Sequence, residues 1–441
     1  MRTTPCIASR LALGLGLAAA AGAPAWAQDE AAPEAGARRL QVAATVTTTQ
    51  HNTWAAYFGG DFGFGGPDFN WGEAVAQLRV RAAVTPWLHL GVGGVGMGTL
   101  GRDYGGIEDA SDGLLDDAWV RFQCQRMPLA LTVGRQEVLL GDGFLLGDGF
   151  ADTKAAGWNL PLRAFDAVRA DVGLESLDLT LLALRMHSRF FQMAFDPDDP
   201  TGFGLLEPRG EMYAGDAAFR LGWQSTFGAT FLSRVDTGPS NVDARVVGLR
   251  GKTTRGPLTL SGEWAVEGGR SRDVPLDASA WHADARLDGP GGLAPYLEVS
   301  YAYFSGDRAD SDEVEEYFPL NFDWQDWSKY YIGDYTTTML LNADSRIWRV
   351  EAGCALGEKL SLRALGHRFD LDTGSYVFGL PEGVGRHFAD EVDLIADLAV
   401  SDALGFWVMG SWAEPGDAAK YAWGDETAWQ LFACATYAFE Y

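Results

Sequence analysis

Long stretches of alternating apolar and polar residues constrain this chain more than any other feature. In 73–84, EAVAQLRVRAAV, every second residue is Ala, Leu or Val, and Glu73, Gln77, Arg79 and Arg81 stand between them. A period of two places the two sets of side chains on opposite faces of a β-strand. The same alternation recurs farther along the chain, in 258–267, 280–288 and 391–400.

These segments are too long for an ordinary soluble sheet. Each runs for roughly 10–14 residues, enough for the roughly 9–11 that a tilted strand needs to cross a bilayer, whereas soluble strands have about 5–6. One face is small, aliphatic or aromatic, and the other carries charges of both signs, as in a barrel with lipid outside and water inside. Because lipid cannot satisfy the backbone groups of an open edge, the strands must close. The sequence therefore predicts an all-β fold, a transmembrane antiparallel β-barrel.

The connections between the strands alternate in length. The patterns predict about 18 strands, with about 16 as the alternative. Tight links such as Thr85-Pro86 and Gly173-Leu174 fall on one side of the sheet. This layout is typical of short periplasmic turns and long extracellular loops, and an even strand count leaves both termini in the periplasm. The longer connections are expected at 50–69, 139–162, 187–210, 305–342 and 371–387.

Aromatic residues mark the ends of several predicted strands. The chain ends in Tyr441, and a last strand that finishes on an aromatic residue resembles the assembly signal of outer-membrane proteins. Aromatic residues near other strand ends are expected to form the girdles that lie at the two membrane interfaces. These residues are Trp87, Trp119, Trp281, Tyr301, Tyr303, Trp348 and Trp407.

The first residues have the features of a secretory signal peptide. An apolar run at 11–23 follows a basic start, and Ala-Trp-Ala at 25–27 is a cleavage site of the A-x-A type. We therefore expect a signal peptide at 1–27 and a barrel at 28–441, in the outer membrane of a Gram-negative bacterium. The formal net charge of −26 argues against nucleic acid as a partner.

The stretch 134–150, GRQEVLLGDGFLLGDGF, combines a predicted strand end with a loop rich in Gly and Asp. Glycine permits a close backbone approach, and Asp142 and Asp148 offer the hard oxygen ligands that calcium prefers. The alternative is a tight extracellular turn that holds no ion. Apart from calcium at this position, no cofactor is expected.

This stretch resembles the outer-membrane porins of the alginate export family. Their signature is a strand ending in Gly-Arg-Gln, then an apolar pair and Gly-Asp-Gly, which stand here as Gly134-Arg135-Gln136 and Gly141-Asp142-Gly143. A second match is YAYFSGD at 301–307 followed by YFPLNFDWQDW at 317–327. The resemblance implies a barrel of about 18 strands that lets an acidic exopolysaccharide out through a pore lined with arginine and lysine.

Arginines are the candidate pore-lining residues. A guanidinium binds a carboxylate through two parallel hydrogen bonds, so a row of arginines in a lumen favours anions. The alternative is that these arginines only balance neighbouring acidic residues inside the barrel. The candidates are Arg79, Arg81, Arg121, Arg135, Arg169, Arg220, Arg286, Arg349 and Arg368.

The resulting prediction is a porin for passive, selective transport of an anionic saccharide or a related anionic solute. Its expected partners are outer-membrane lipid and lipopolysaccharide, the saccharide itself and a periplasmic export protein. The alternative is a structural barrel or docking scaffold in an export complex, without free conductance. Enzymatic activity is not expected, since a hydrolase would need an activated serine such as Ser261 beside His282.

Overall fold

The alternating segments form strands that pair with their neighbours along the chain. The structure is a computed structural model that describes residues 40–59, 69–100, 111–141, 143–146, 165–186, 192–195, 203–206, 210–222, 224–236, 242–271, 273–308, 310–317, 344–374 and 380–441. The predicted signal peptide, Asp142 and Asp148 lie outside these ranges.

The described residues contain twenty strands and one short α-helix, α1 (Asp417–Ala422). The strands are β1 (Leu40–Trp54), β2 (Phe69–Thr85), β3 (Leu88–Leu100), β4 (Ser111–Gln123), β5 (Leu129–Gln136), β6 (Phe165–Gly173), β7 (Leu177–Met186), β8 (Gln192–Phe195), β9 (Phe203–Leu206), β10 (Gly210–Leu221), β11 (Ser225–Asp236), β12 (Val242–Arg255), β13 (Leu258–Ser271), β14 (Val274–Asp288), β15 (Tyr296–Phe304), β16 (Ser345–Leu356), β17 (Leu360–Leu371), β18 (His387–Ala399), β19 (Leu404–Pro415) and β20 (Ala428–Glu440).

Eighteen of these strands close into one antiparallel barrel. Strand β1 pairs with β2 on one side and with β20 on the other, so that Val46 lies opposite both Ala76 and Tyr437. Strand β7 pairs directly with β10, and the short strands β8 and β9 between them pair only with each other. The structure thus confirms the prediction of 18 strands over the alternative count.

Each wall strand has the two faces that its alternation predicts. In β2 the side chains of Glu73, Gln77 and Arg79 are buried inside the barrel, whereas Leu78 is 53% exposed on the outside. Residues directly opposite each other on paired strands share a face. The pattern of one strand therefore continues around the sheet, and the outer surface becomes an apolar band suited to hydrocarbon.

The aromatic residues are only partly where the sequence predicts them. Trp281, Tyr301 and Trp348 lie side by side on the outer face of β14–β16, with ring centroids 5.0 Å and 4.6 Å apart. Trp119 and Trp407 instead take the inward parity of β4 and β19, and Trp407 packs edge-on against Phe432. For these two residues the prediction of an interfacial girdle is wrong, because position near a strand end does not fix the face.

The two rims of the barrel differ as predicted. One rim carries short turns such as 86–87 and 256–257, together with both ends of the described chain, where Val42 and Tyr441 exchange backbone hydrogen bonds of 3.1 and 2.9 Å. The other rim carries most of the long connections. The link between β13 and β14 is an exception, because these strands extend to Ser271 and Val274.

The long-loop rim also carries α1, which the alternating pattern does not predict. Ala418 and Ala419 of this helix are buried, next to a ring cluster of Phe58, Phe388 and Trp423. In the described ranges no helix has the length and apolar character needed to span a bilayer.

Candidate functional site

The chain that follows β5 turns into the barrel. We call residues 137–141 and 143–146 the inward segment. Its backbone doubles back on itself, since the Leu140 and Gly143 amides donate to Leu146 and Leu140 carbonyls at 2.9 and 3.1 Å. Gly141 and Gly143 take φ values of +67° and +92°, which favour glycine and explain the Gly-Asp-Gly motif. Val138, Phe144, Leu145 and Leu146 are all buried.

The inward segment crosses the lumen to the far wall. The ring of Phe144 lies 5.0 Å from His282 on β14 and 6.0 Å from Phe304 on β15, measured between centroids. Leu145 rests on β12 at Gly248, where an added Cβ would lie 2.3 Å from its Cδ1. Strands β14 and β15 are nearly opposite β5 in the sheet order. The segment therefore narrows the channel.

Arg79 connects the inward segment to the wall on which it begins. Its side chain extends from β2 across Gly93 of β3, where an added Cβ would lie 2.8 Å from Arg79 Cγ and 3.1 Å from Asp117 Cβ. Its guanidinium forms an ion pair with Glu137 at the start of the inward segment. The glycines of β3 thus leave room for a long side chain to lie along the wall.

A cationic and aromatic surface lies on the lumen side near the rim that carries the termini. We call Arg81, His89, Trp119 and Arg121 the entrance patch. The Trp119 ring covers Gly91, and the Arg81 Cζ lies 6.0 Å from the centre of that ring. Arg121 lies opposite His89 on the neighbouring strand. Arg81 has no ion pair with an acidic residue in the part of the chain that the structure describes.

Most other predicted arginines on the lumen face each contact an acid. These pairs match the alternative in which arginines balance neighbouring carboxylates, and they create a wall of both signs. The pairs formed by candidate arginines are Arg169–Asp171 at 2.8 Å, Arg220–Asp178, Arg286–Asp288 at 2.9 Å and Arg349–Glu298. Two further pairs, Arg250–Asp216 at 2.6 Å and Arg363–Asp397 at 3.3 Å, involve arginines outside the candidate set.

Two predicted arginines do not face the lumen. Arg135 shares the parity of the lipid-facing Leu131 and Val133, and its Nε donates to Asp166 at 2.9 Å. Arg368 lies opposite the exposed Trp348 and pairs with Asp370 at 3.0 Å. The prediction that these two residues line the pore is therefore wrong.

The Gly-Arg-Gln motif has a structural role at the end of β5. Gly134 has a φ of +122°, and an added Cβ would lie 2.3 Å from the Ala118 carbonyl oxygen. Gln136 faces inward, where its amide donates to the carbonyls of Gly134 and Ala167 at 3.3 and 3.2 Å. Together with the Arg135–Asp166 pair, these bonds hold β5, β6 and the start of the inward segment in place.

Ser261 and His282 are not arranged as a nucleophilic serine and its activating histidine. His282 Nδ1 lies 2.9 Å from Asp284 Oδ2, and the Ser261 hydroxyl donates to the same oxygen at 3.3 Å. The carboxylate therefore stands between serine and histidine, whereas a nucleophilic serine needs the histidine next to it.

The comparisons with known proteins agree with this architecture. The family model for alginate export matches residues 99–430, and no match was found among curated proteins. OccAB1 of Acinetobacter baumannii has a similar structure, with a TM-score of 0.61, 11% identity, and coverage of 93% of this chain and 99% of that chain. OccK11 (OpdR) of Pseudomonas aeruginosa has a TM-score of 0.56 and 13% identity, with 91% and 96% covered.

A third similar structure is OccK2 (OpdF) of Pseudomonas aeruginosa, in complex with glucuronate, with a TM-score of 0.56, 12% identity, and 91% and 98% covered. At such identities these likenesses establish the fold alone, a closed antiparallel β-barrel. The family model matches well over half of the 441 residues. The chain belongs to the alginate export family.

Proposed function

We propose that this outer-membrane channel passes an anionic saccharide, with carboxylated sugars as the solute class, by passive diffusion. The entrance patch carries this proposal. In this patch the guanidinium of Arg81 on β2 lies beside the ring of Trp119 on β4. Arg121 follows Trp119 on β4 and projects from the same face of that strand. A guanidinium suits the carboxylate of a sugar acid, and an aromatic ring suits the apolar side of a sugar ring.

The acidity of the chain makes the position of each cation important. With a net charge of −26, the average field of this protein repels anions. An anion therefore enters only where positive charge is locally in excess. Short turns lie on the periplasmic side of outer-membrane barrels, so the entrance patch is near the periplasmic mouth.

Beyond the entrance patch, the paired arginines can exchange partners with a passing solute. Each guanidinium has five donors, and a neighbouring acid uses only part of them. Arg169 and Arg349, for example, each keep a protein carboxylate close, so a solute carboxylate is held but not trapped. Several weak sites in series are what conduction requires.

Two comparisons support the solute class. The family is named for the export of alginate, and OccK2 was crystallised in complex with glucuronate, which is a sugar acid. Each name states a property of the related proteins, and the entrance patch is the feature of this chain that makes the same solute class plausible on chemical grounds.

Ion selectivity in planar bilayers tests the proposal. Arg81→Ser and Arg121→Ser should shift the reversal potential in a KCl gradient toward cation selectivity, and should weaken current block by an oligouronate but not by a neutral oligosaccharide of equal length. Arg135→Ser and Arg368→Ser are the matched controls, because they remove the same charge from the outer face.

The salt dependence makes the test stricter. The Debye length is about 30 Å at 0.01 M and about 3 Å at 1 M, so the shift should be large in dilute KCl and nearly vanish in concentrated KCl. Entrance variants that behave like the outer-face controls would contradict the proposal. A barrel that inserts but carries no current would favour the docking scaffold instead.

A further inference from the structure

Three potential metal ligands meet on the lumen wall, away from the entrance patch. His367 belongs to β17, and Glu391 and Asp393 belong to β18. A ring nitrogen of His367 and one carboxylate oxygen each of Glu391 and Asp393 lie within 4.8 Å of one another. All three residues are buried. This spacing allows a single cation to contact all three.

The strand register brings these residues together. Glu391 lies directly opposite His367, and Asp393 follows two positions later on the same face of β18. Directly opposite residues in an antiparallel pair have neighbouring side chains, and alternate residues of one strand project to the same side. The cluster is therefore a consequence of the wall itself, where strands place side chains more accurately than loops do.

Asp393 is the residue that most needs a cation. It is fully buried, and neither carboxylate oxygen has a hydrogen bond among the described residues. His367 Nδ1 lies 3.4 Å from its Oδ2. A second carboxylate, that of Glu391, lies beside it, and two buried like charges repel each other.

Other carboxylates on the same wall form ion pairs with arginines. Glu298 has the guanidinium of Arg349, and Asp397 has that of Arg363. At Asp393 the adjacent strand instead offers Ser411, whose buried hydroxyl also has no hydrogen bond in the described part of the chain. The site thus provides an imidazole nitrogen, two carboxylates and an additional oxygen.

We propose that His367, Glu391 and Asp393 form a binding site for a divalent transition-metal ion, for which zinc is the best match. Zinc accepts nitrogen and carboxylate ligands in a small four-coordinate shell, with Ser411 or water at the fourth position. Calcium and magnesium prefer sites built from oxygen alone. The site goes beyond the proposed transport function and uses other residues than the calcium site predicted at Asp142 and Asp148.

Occupancy changes both the wall and the lumen. The metal links β17 to β18 through side chains from both strands. It also replaces two negative charges by a neutral assembly, because the +2 charge of a divalent ion cancels the charges of the two carboxylates. The lumen of the loaded barrel therefore opposes anions less than the lumen of the metal-free barrel.

Metal binding to the purified, untagged barrel in detergent tests the proposal. After treatment with a chelator and dialysis, titration calorimetry with Zn²⁺ should give one site per chain. Asp393→Asn and His367→Gln should each weaken this binding by at least about 10-fold, the smallest loss typical even for outer-shell partners of metal ligands. His89→Gln, which changes a lumen histidine of the entrance patch, should leave it unchanged.

Heat-modifiable migration on gels shows that each variant is a folded barrel before it is titrated. Asp393→Asn keeps the shape of the side chain, and Glu391→Gln provides a second variant of this kind. The proposal is overturned if the wild-type barrel takes up no Zn²⁺, or if the three variants bind it as the wild type does.

In bilayers, micromolar Zn²⁺ should shift the reversal potential of the wild-type channel toward anion selectivity. The same addition should not shift the reversal potential of Asp393→Asn.

Discussion

The guanidinium of Arg79 on β2 forms an ion pair with Glu137, the first residue of the inward segment, and both side chains are largely buried. Glu137→Gln should therefore loosen the segment at its origin, because an arginine that loses its acid in a buried place costs several kcal/mol, about 3–5. We expect a higher mean conductance and more current noise in single-channel recordings.

The matched control for this pair is Glu358→Gln in the short turn between β16 and β17, far from the inward segment along the chain, and it should leave conductance unchanged. Arg79→Gln combined with Glu137→Gln should raise conductance less than the sum of the two single changes, since both break the same contact. Additive effects would mean that the pair does not hold the segment.

Phe144 anchors the other end of the inward segment between His282 and Phe304. Phe144→Ala removes a buried ring, which in protein cores costs about 3–5 kcal/mol. The segment should then leave the far wall, and conductance should rise more than in Glu137→Gln. Phe227→Ala, on the lipid-facing side of β11, should leave conductance unchanged; an unchanged current in Phe144→Ala itself would show that the segment does not narrow the channel.

Much of the wall could be predicted from the sequence, because lipid outside and water inside impose a period of two on every strand. β12 shows where the pattern misleads. Its inward residues at the long-loop end are Val242, Ala244 and Val246, because they belong to the buried apolar cluster that includes the inward segment. The polar parity there, with Arg245, faces outward.

The candidate site was less predictable, for physical reasons. The motif places Arg135 among the pore-lining candidates, although Arg135 shares the parity of Leu131 and Val133, which face outward. The contacts of Phe144 join strands far apart in sequence, and alternation carries no information on such pairs. The meeting of His367 with Glu391 depends on strand register, which the sequence alone did not fix.

Glu316 gives the long connection after β15 a dependence on pH. Burial, followed by repulsion from Asp344 and Asp307, raises the pKa of this carboxyl well above its usual value of 4.5. Its neighbour Tyr317 donates a backbone hydrogen bond to Ser305 at 2.9 Å, which keeps the connection packed. A raised pKa means that the packed state prefers the protonated acid.

The sign of the effect follows from linkage. The stabilisation by protonated Glu316 is complete below the usual pKa of 4.5 and is lost as the pH rises through the raised value. Hydrogen exchange of 305–308 and 310–317, corrected for the intrinsic rate, should therefore accelerate as the pH rises above 4.5. Glu316→Gln stays neutral and should flatten this dependence; a variant that keeps the full wild-type slope would assign the titration to another group.

Arg250 and Asp216 offer a test of lumen electrostatics with two opposite outcomes. Arg250 donates to both oxygens of Asp216 at 2.6 and 2.8 Å, and to the Thr230 hydroxyl at 2.8 Å. Arg250→Gln leaves a negative charge on the lumen wall, so selectivity should shift toward cations. Asp216→Asn leaves a positive charge and should shift it toward anions.

The two substitutions lie at the same place and neither enlarges a side chain, so a change in pore width alone would not produce shifts of opposite sign. Only charge predicts shifts of opposite sign, and both should shrink as salt shortens the Debye length from about 30 Å to about 3 Å. Reversal potentials in dilute and concentrated KCl measure this directly. Shifts of the same sign would show that the pair acts on the pore through its packing, because the wall charges would then not govern which ions pass.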